Sequence, residues 1–381
     1  MSLPPVSLPA SSSTSSLTPS STSLHAPLRG PVARWLRVVG VSLIAVASCT
    51  AIAGGPPMAG MPRLGPVFPP VPAAVSMPRD GAAHSPLPFE DTPTTARIRE
   101  RGRILLGYRQ TAVPFSYVDA HDQPMGLAWA LCQRIVPALQ KAMGMSELRS
   151  TPVRVIEQMR GPLVRGDAID IDCAPSTVTA EREQQVAFSL PYYAANVRLM
   201  VRRGAGIEGI DDMRGLRLAV VQGTTAERLV RAQHAGTGFQ LLMARDYDDA
   251  FRMLRERRAQ ALALDDVLLE GLRATSRTPH AYRIVGKPLA DVPETYALVL
   301  PKDDPAFKAL VDAALAEMFR SGEMAQLQRE SFHAGVPPHG HSLALAPSAD
   351  VLALWEKGAA YGAEQEASAK SVPQATSPAG F

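Results

Sequence analysis

Two places where an apolar strand runs into a hydroxyl-rich turn constrain this chain most. Ala168 to Cys173 reads as a strand, and it leads into Ser176-Thr177-Val178-Thr179-Ala180-Glu181-Arg182. Leu216 to Val221 reads as another, and it leads into Gln222-Gly223-Thr224-Thr225-Ala226-Glu227. Each turn places hydroxyls and backbone N–H groups at what should be the first turn of a helix. Strands that feed helices in this way belong to α/β folds. Further strands are predicted at 103–108, 197–201, 261–264 and 296–300. Leu131, Ile135 and Leu139 recur every four residues on a helix that Pro137 should loosen. Asp304-Pro305 opens an amphipathic helix through Phe307, Leu310, Val311, Leu315 and Met318, and Gly322 closes it.

At 381 residues the chain exceeds what one core usually holds, so two lobes are expected. Its 39 basic and 36 acidic residues are interspersed, and a net charge of +3 gives no nucleic-acid footprint. Arg29, Arg34 and Arg37 precede an apolar run, Val38 to Ala47, that is too short to span a bilayer. Residues 1–53 therefore read as an export signal, which places the mature protein in the periplasm. Two processing sites compete there. Val46-Ala47-Ser48-Cys49 has the form of a lipobox, which would lipidate Cys49, whereas Ala51-Ile52-Ala53 before Gly54 suits ordinary signal cleavage. Residues 54–95 are dense in Pro, Gly and Ala and read as an extended linker. Residues 341–381 read as a C-terminal extension that ends in a disordered tail from about Ser368. Cys132 and Cys173 could bridge in an oxidising compartment, but their spacing alone does not decide it. The three cysteines have no metal-binding spacing, and no metal or cofactor is expected.

Helix starts attract anions, because several N–H groups are unpaired there and the macrodipole is positive. Two such turns, one containing Arg182, join an acidic pair, Asp265-Asp266, at a third strand end. Together they suggest a site for a small molecule that carries both a carboxylate and an ammonium. Each residue also has a plainer reading. Arg182 could pair at the surface with Glu181 or Glu183. Thr224 and Glu227 form a Thr-x-x-Glu capping box, and Asp265 could simply cap a helix.

Residues from about 96 to 340 resemble the polar-amino-acid solute-binding proteins of bacterial ABC importers, in particular the glutamate/aspartate-binding member. The matching stretches include Gly107-Tyr108-Arg109, Val113-Pro114-Phe115-Ser116-Tyr117, Thr179-Ala180-Glu181-Arg182 and Gly223-Thr224-Thr225. They continue through Asp246-Tyr247-Asp248-Asp249-Ala250-Phe251, Asp265-Asp266-Val267-Leu268-Leu269, Ile284-Val285-Gly286-Lys287-Pro288 and Gly335-Val336-Pro337-Pro338. The resemblance implies a two-lobed, type II periplasmic-binding-protein-like α/β fold with two crossing strands. Lobe 1 would comprise residues 96–191 and 297–340, and lobe 2 residues 192–296.

The resemblance also implies roles. Arg182 and Thr177 would take the ligand's α-carboxylate together with the Gly223-Thr224-Thr225 turn, and Asp265 would take its ammonium. Asp266 would cap the following helix. Arg109 and Arg160 would hold a side-chain carboxylate, with Phe115 packed on the aliphatic part unless it belongs to the lobe core. Three positions depart from the subgroup: Pro175 and Glu157 each stand where it has Ser, and Tyr247 stands where it has His. Arg109, Arg160 and Arg182 against Asp265 leave two positive charges in excess, and Glu157 reduces that to one. The balance still suits an acidic ligand if Glu157 pairs with Arg160, whereas a free Glu157 would favour a neutral or cationic side chain. The expected activity is therefore non-enzymatic: a monomer that captures an L-amino acid, glutamate or aspartate, and presents it to a membrane permease. Two other readings are a dehydratase-like enzyme on the same scaffold, with Glu157 as general acid, and a sensing domain.

Overall fold

The structure is a computed structural model, and it describes residues 90–371. The export signal, Cys49 with both processing sites, most of the linker and residues 372–381 lie outside the described residues. The chain order is α1 (Pro93–Arg101), β1 (Arg103–Tyr108), a small sheet of β2 (Thr111–Ala112), β3 (Ser116–Val118) and β4 (Pro124–Met125), then α2 (Leu127–Ala142) and β5 (Arg149–Arg154). It continues with α3 (Arg160–Arg165), β6 (Ile171–Thr177), α4 (Ala180–Glu183), β7 (Ala187–Phe188), β8 (Tyr193–Ala195) and β9 (Val197–Arg202). Next come β10 (Arg217–Val221), α5 (Thr225–Thr237), β11 (Gln240–Ala244), α6 (Tyr247–Arg255), β12 (Ala261–Asp265), α7 (Asp266–Ala274) and β13 (Tyr282–Val285). The chain returns through β14 (Glu294–Leu300) and ends in α8 (Pro305–Ser321), α9 (Glu323–His333) and α10 (Ala349–Ser371).

Two main sheets result. The first has the order β5-β1-β6-β14-β7, with β8 also paired to β14, and the second has the order β11-β10-β12-β9-β13. In each, β1 or β10 lies parallel to its neighbours, while β14 or β9 runs against them. The strands β8 and β14 pair antiparallel, Tyr193 opposite Tyr296 and Ala195 opposite Glu294, where the chain passes between the two sheets. Asn196 follows directly. Its N–H donates to Asp266 Oδ1 at 3.2 Å, and its carbonyl accepts from the Asp266 N–H at 2.8 Å, which ties the crossing to the start of α7.

The caps behave as their sequences dictate. Asp304 accepts from the Phe307 N–H, Pro305 occupies the first turn of α8, and Gly322 ends that helix with φ of 77°. The helix α2 runs unbroken across Pro137, because Leu131, Ile135 and Leu139 anchor both of its halves in the core.

Three expectations need correction. Ser176 and Thr177 lie within β6, and the helix after them, α4, is a single turn of 4 residues. A helix that short has little macrodipole, so the turn itself offers little of the anion-attracting field expected from the sequence. The linker yields earlier than 95, because Thr92 caps a helix that starts at Pro93. The extension after residue 340 contains a 23-residue helix, α10, that reaches Ser371, past the expected start of a disordered tail. Gly358 and Gly362 count against a helix by propensity, yet here they allow close approach to α8: a Cβ on Gly358 would meet the Phe319 ring at 2.3 Å. Trp355 fastens the helix by donating to the Tyr192 carbonyl at 2.8 Å.

Cys132 on α2 and Cys173 on β6 form a disulfide that closes a loop of 41 residues. Replacing both with serine should lower unfolding stability by about 2–4 kcal/mol, read as an earlier midpoint in urea. An unchanged midpoint would mean that the bridge adds nothing to the native state.

Candidate functional site

The ends of β6, β10 and β12 meet where the two sheets face each other, and the predicted residues gather there. At the end of β6, the Thr177 hydroxyl donates to Glu294 Oε2 at 3.1 Å, and the Thr225 hydroxyl at the start of α5 bonds the same oxygen. Arg182 is half-buried. Its Nη1 donates to the Thr177 carbonyl at 2.7 Å and its Nη2 to the Gly223 carbonyl at 3.1 Å. Buried Arg160 donates through Nη2 to the same Gly223 carbonyl at 3.4 Å and through Nη1 to Ser176 Oγ at 3.3 Å. Two guanidinium groups from the first lobe thus converge on one backbone oxygen of the second. Neither has a carboxylate partner among the described residues. A cavity of about 250 Å³ opens beside them, lined in part by Glu157, Gln158, Arg160, Arg182 and Gly223. Burial, joined by the charge of Arg160, lowers the Arg182 guanidinium well below its usual value.

The turn before α5 does less than its sequence suggests. Gly223 has φ of 77°, a conformation that suits glycine, and its N–H already donates to Glu227 Oε2 at 2.8 Å. Thr224 is a structural cap: its hydroxyl oxygen accepts from the Glu227 N–H at 3.2 Å and donates to the Val221 carbonyl. Thr225 is the member of this turn whose hydroxyl faces the first lobe.

Asp265 closes β12 and is buried. Its Oδ1 has no hydrogen-bond partner among the described residues, and its side chain caps nothing. Burial raises its carboxyl to about 7, and the neighbouring charge of Glu294 adds to the shift. Asp266 bonds the Val267 and Asn196 N–H groups instead, which frees Asp265 for another partner.

Arg109, directly after β1, is gripped at both ends of its fork by Asp172, with Nη1 to Oδ1 at 2.7 Å and Nη2 to Oδ2 at 2.9 Å. Glu157 lies only 3% exposed with Oε1 3.5 Å from Arg109 Nε, while its Oε2 is buried without a partner. This corrects the expected pairing with Arg160, which binds the Glu157 backbone carbonyl through Nε at 2.7 Å. Tyr247 begins α6 and is buried, and desolvation raises its phenol so that it remains a neutral donor. Pro175 is buried within β6. Phe115 is fully buried in an aromatic cluster, edge-on to Tyr193, Tyr296 and Phe332 at 4.9, 5.3 and 5.7 Å, which is its core reading.

Two site residues went unread in the sequence. Asp172 neutralises Arg109, and Glu294 occupies the hydroxyls of Thr177 and Thr225. Asp172 had a signal: Asp170 and Asp172 alternate in an apolar run, so both share one strand face and both need buried partners. Asp170 finds Arg101 at 2.7 Å. With Glu157, Asp172, Asp265 and Glu294, four carboxyl groups meet three guanidinium groups, so the positive excess expected from sequence is replaced by formal near-neutrality.

A family model described as bacterial extracellular solute-binding proteins, family 3, matches residues 104–334. The chain belongs to that family. An L-glutamate/L-aspartate-binding protein of Pseudomonas aeruginosa is 34% identical over 279 residues, covering 72% of this chain and 92% of the relative. A glutamate/aspartate import solute-binding protein of Escherichia coli is 32% identical, covering 69% and 87%. A mutant of the arginine-binding protein of T. maritima superposes with a TM-score of 0.56 at 26% identity, covering 63% of this chain and 99% of that one. These similarities make the chain a two-lobed type II solute-binding protein and not an enzyme. Nothing in them supports the dehydratase-like alternative.

Proposed function

We propose that this family 3 solute-binding protein captures an L-amino acid with an acidic side chain, glutamate or aspartate, by lobe closure in the periplasm. It then delivers the ligand, as a monomer, to the membrane permease of an ABC importer. The observation that carries the reading is the convergence of Arg160 and Arg182 on the Gly223 carbonyl with no carboxylate of their own. Cations withdrawn from water in this way, Arg160 buried and Arg182 half-buried, call for an anion. The α-carboxylate takes Arg182 and the Thr177 and Thr225 hydroxyls, displacing Glu294 from them. The α-ammonium meets Asp265, whose unpartnered oxygen then gains a donor and whose carboxyl ionises as the cation arrives. The side-chain carboxylate takes Arg160. Micromolar capture corresponds to about −8 kcal/mol, and a few charge-assisted bonds of about 1.5–3 kcal/mol each supply that.

Isothermal titration against the twenty amino acids tests the reading. Glutamate or aspartate should bind most tightly, and preference for Arg, Lys or His would overturn the acidic assignment. Arg160→Ala should weaken acidic ligands roughly ten- to 150-fold while neutral ones lose little. Equal losses for all ligands would contradict its role.

A further inference from the structure

The site described above spends Arg109 on Asp172 and leaves Glu157 facing the ligand's side chain with a bare oxygen. The groups around Glu157 are Arg109 after β1, Arg160 on α3, and Asp246 and Tyr247 at the start of α6, with Asp172 of β6 bonded to Arg109. Arg109 and Asp172 cancel. A ligand carboxylate set on Arg160 would then share a dry space with a second carboxylate, Glu157, and two carboxylates so placed do not both stay ionised. A ligand carboxamide meets no such conflict, since its oxygen accepts from Arg160 and its NH2 donates to Glu157 Oε2.

We propose that Glu157 sets the side-chain preference of the cleft through its own protonation. As an acid it donates from Oε2 to the ligand's side-chain carboxylate, so an acidic amino acid brings a proton into the site from solvent. As a carboxylate it accepts from the amide of glutamine or asparagine. Burial already raises the Glu157 carboxyl against the opposing pull of Arg109 and Arg160, which favours the acid form. The proposal rests on the amino-acid reading of the same site and adds proton coupling to it.

Calorimetric titration of the full chain with L-glutamate and with L-glutamine tests this, from about pH 5 to about pH 8.5, each pH being held in turn by two buffers that titrate there, such as phosphate and Tris at the upper end. These buffers differ in ionisation enthalpy and so count protons. Asp265 and Arg182 face the head group common to both ligands, so their proton exchange cancels in the comparison. Glutamate should take up as much as one proton more than glutamine. Its affinity relative to glutamine should fall by up to tenfold per pH unit as pH rises, the window lying between the titrations of Glu157 in the glutamine-bound and the glutamate-bound protein. In Glu157→Ser and Glu157→Gln both ligands should still bind, with equal proton counts and a pH-independent ratio. Equal counts in the parent protein, or a difference that persists in both variants, would overturn the proposal while leaving amino-acid capture intact. Failure of the parent protein to bind any amino acid would instead remove the reading beneath it.

Discussion

Arg182→Ala should lower the affinity for every amino acid the protein captures, roughly thirtyfold to several-thousandfold, whatever the ligand's side chain. The reasoning is positional. Arg182 reaches from α4 to the Thr177 carbonyl in its own lobe and the Gly223 carbonyl in the other. It therefore stands at the head-group end, where all amino acids are alike, and its loss costs a two-pronged charged contact as well as a bond across the cleft. Arg182→Lys keeps the charge but not the fork, and should recover only part of the loss. The side chain is half-buried and its protein partners are carbonyls, so thermal stability should change little. Titration alongside a melting curve separates the two effects. A variant that binds as tightly as the parent would place Arg182 outside the site.

The second large effect falls on stability. Asp172→Asn should destabilise the fold by about 3–5 kcal/mol, because it leaves the buried Arg109 cation without its bidentate partner. Glu157 is the other carboxylate beside Arg109, but at 3.5 Å from Nε alone it does not replace the two-pronged grip. Arg109 and Asp172 flank the β1–β6 contact, where Gly107 pairs with Asp172, and a Cβ on Gly107 would come within 3.1 Å of Asp172 Oδ1. Asp172 also accepts from the Ser176 hydroxyl at 3.1 Å, so a second bond in β6 weakens with it. Replacing both partners by apolar residues, Arg109→Met with Asp172→Leu, should return part of the loss, since neither charge of the pair is then left buried alone, although Glu157 loses its contact with Arg109. Urea denaturation of the three proteins measures this. A single variant as stable as the parent would mean that Arg109 finds another carboxylate or reaches solvent.

Much of the fold was legible because it is written locally. The Asp304-Pro305 start and Gly322 stop of α8, and the strands before the two hydroxyl-rich turns, depend on residues a few positions apart. Thr224 was legible as a cap for the same reason. The charge pattern of the site was not, because it is set across the sheets. Arg109 meets Asp172 through the neighbouring strands β1 and β6, and Glu294 reaches Thr177 and Thr225 from a strand that returns to the first sheet after the whole second lobe. The resemblance named the ligand-facing arginines but gave no hint that one of them is already satisfied within the protein. Helix α10 escaped because its glycines, poor by propensity, serve a tertiary contact with α8. Glu157 was singled out from sequence, yet only the structure shows its carboxylate turned toward Arg109 and its second oxygen bare.

A crystal structure of the protein grown with L-glutamate bears most directly on the central claim. The account predicts the ligand between the lobes, its α-carboxylate bonded to Arg182, its ammonium on Asp265 and its side-chain carboxylate against Arg160. Glutamate seated away from both Arg182 and Asp265, with those two groups turned to solvent, would contradict it.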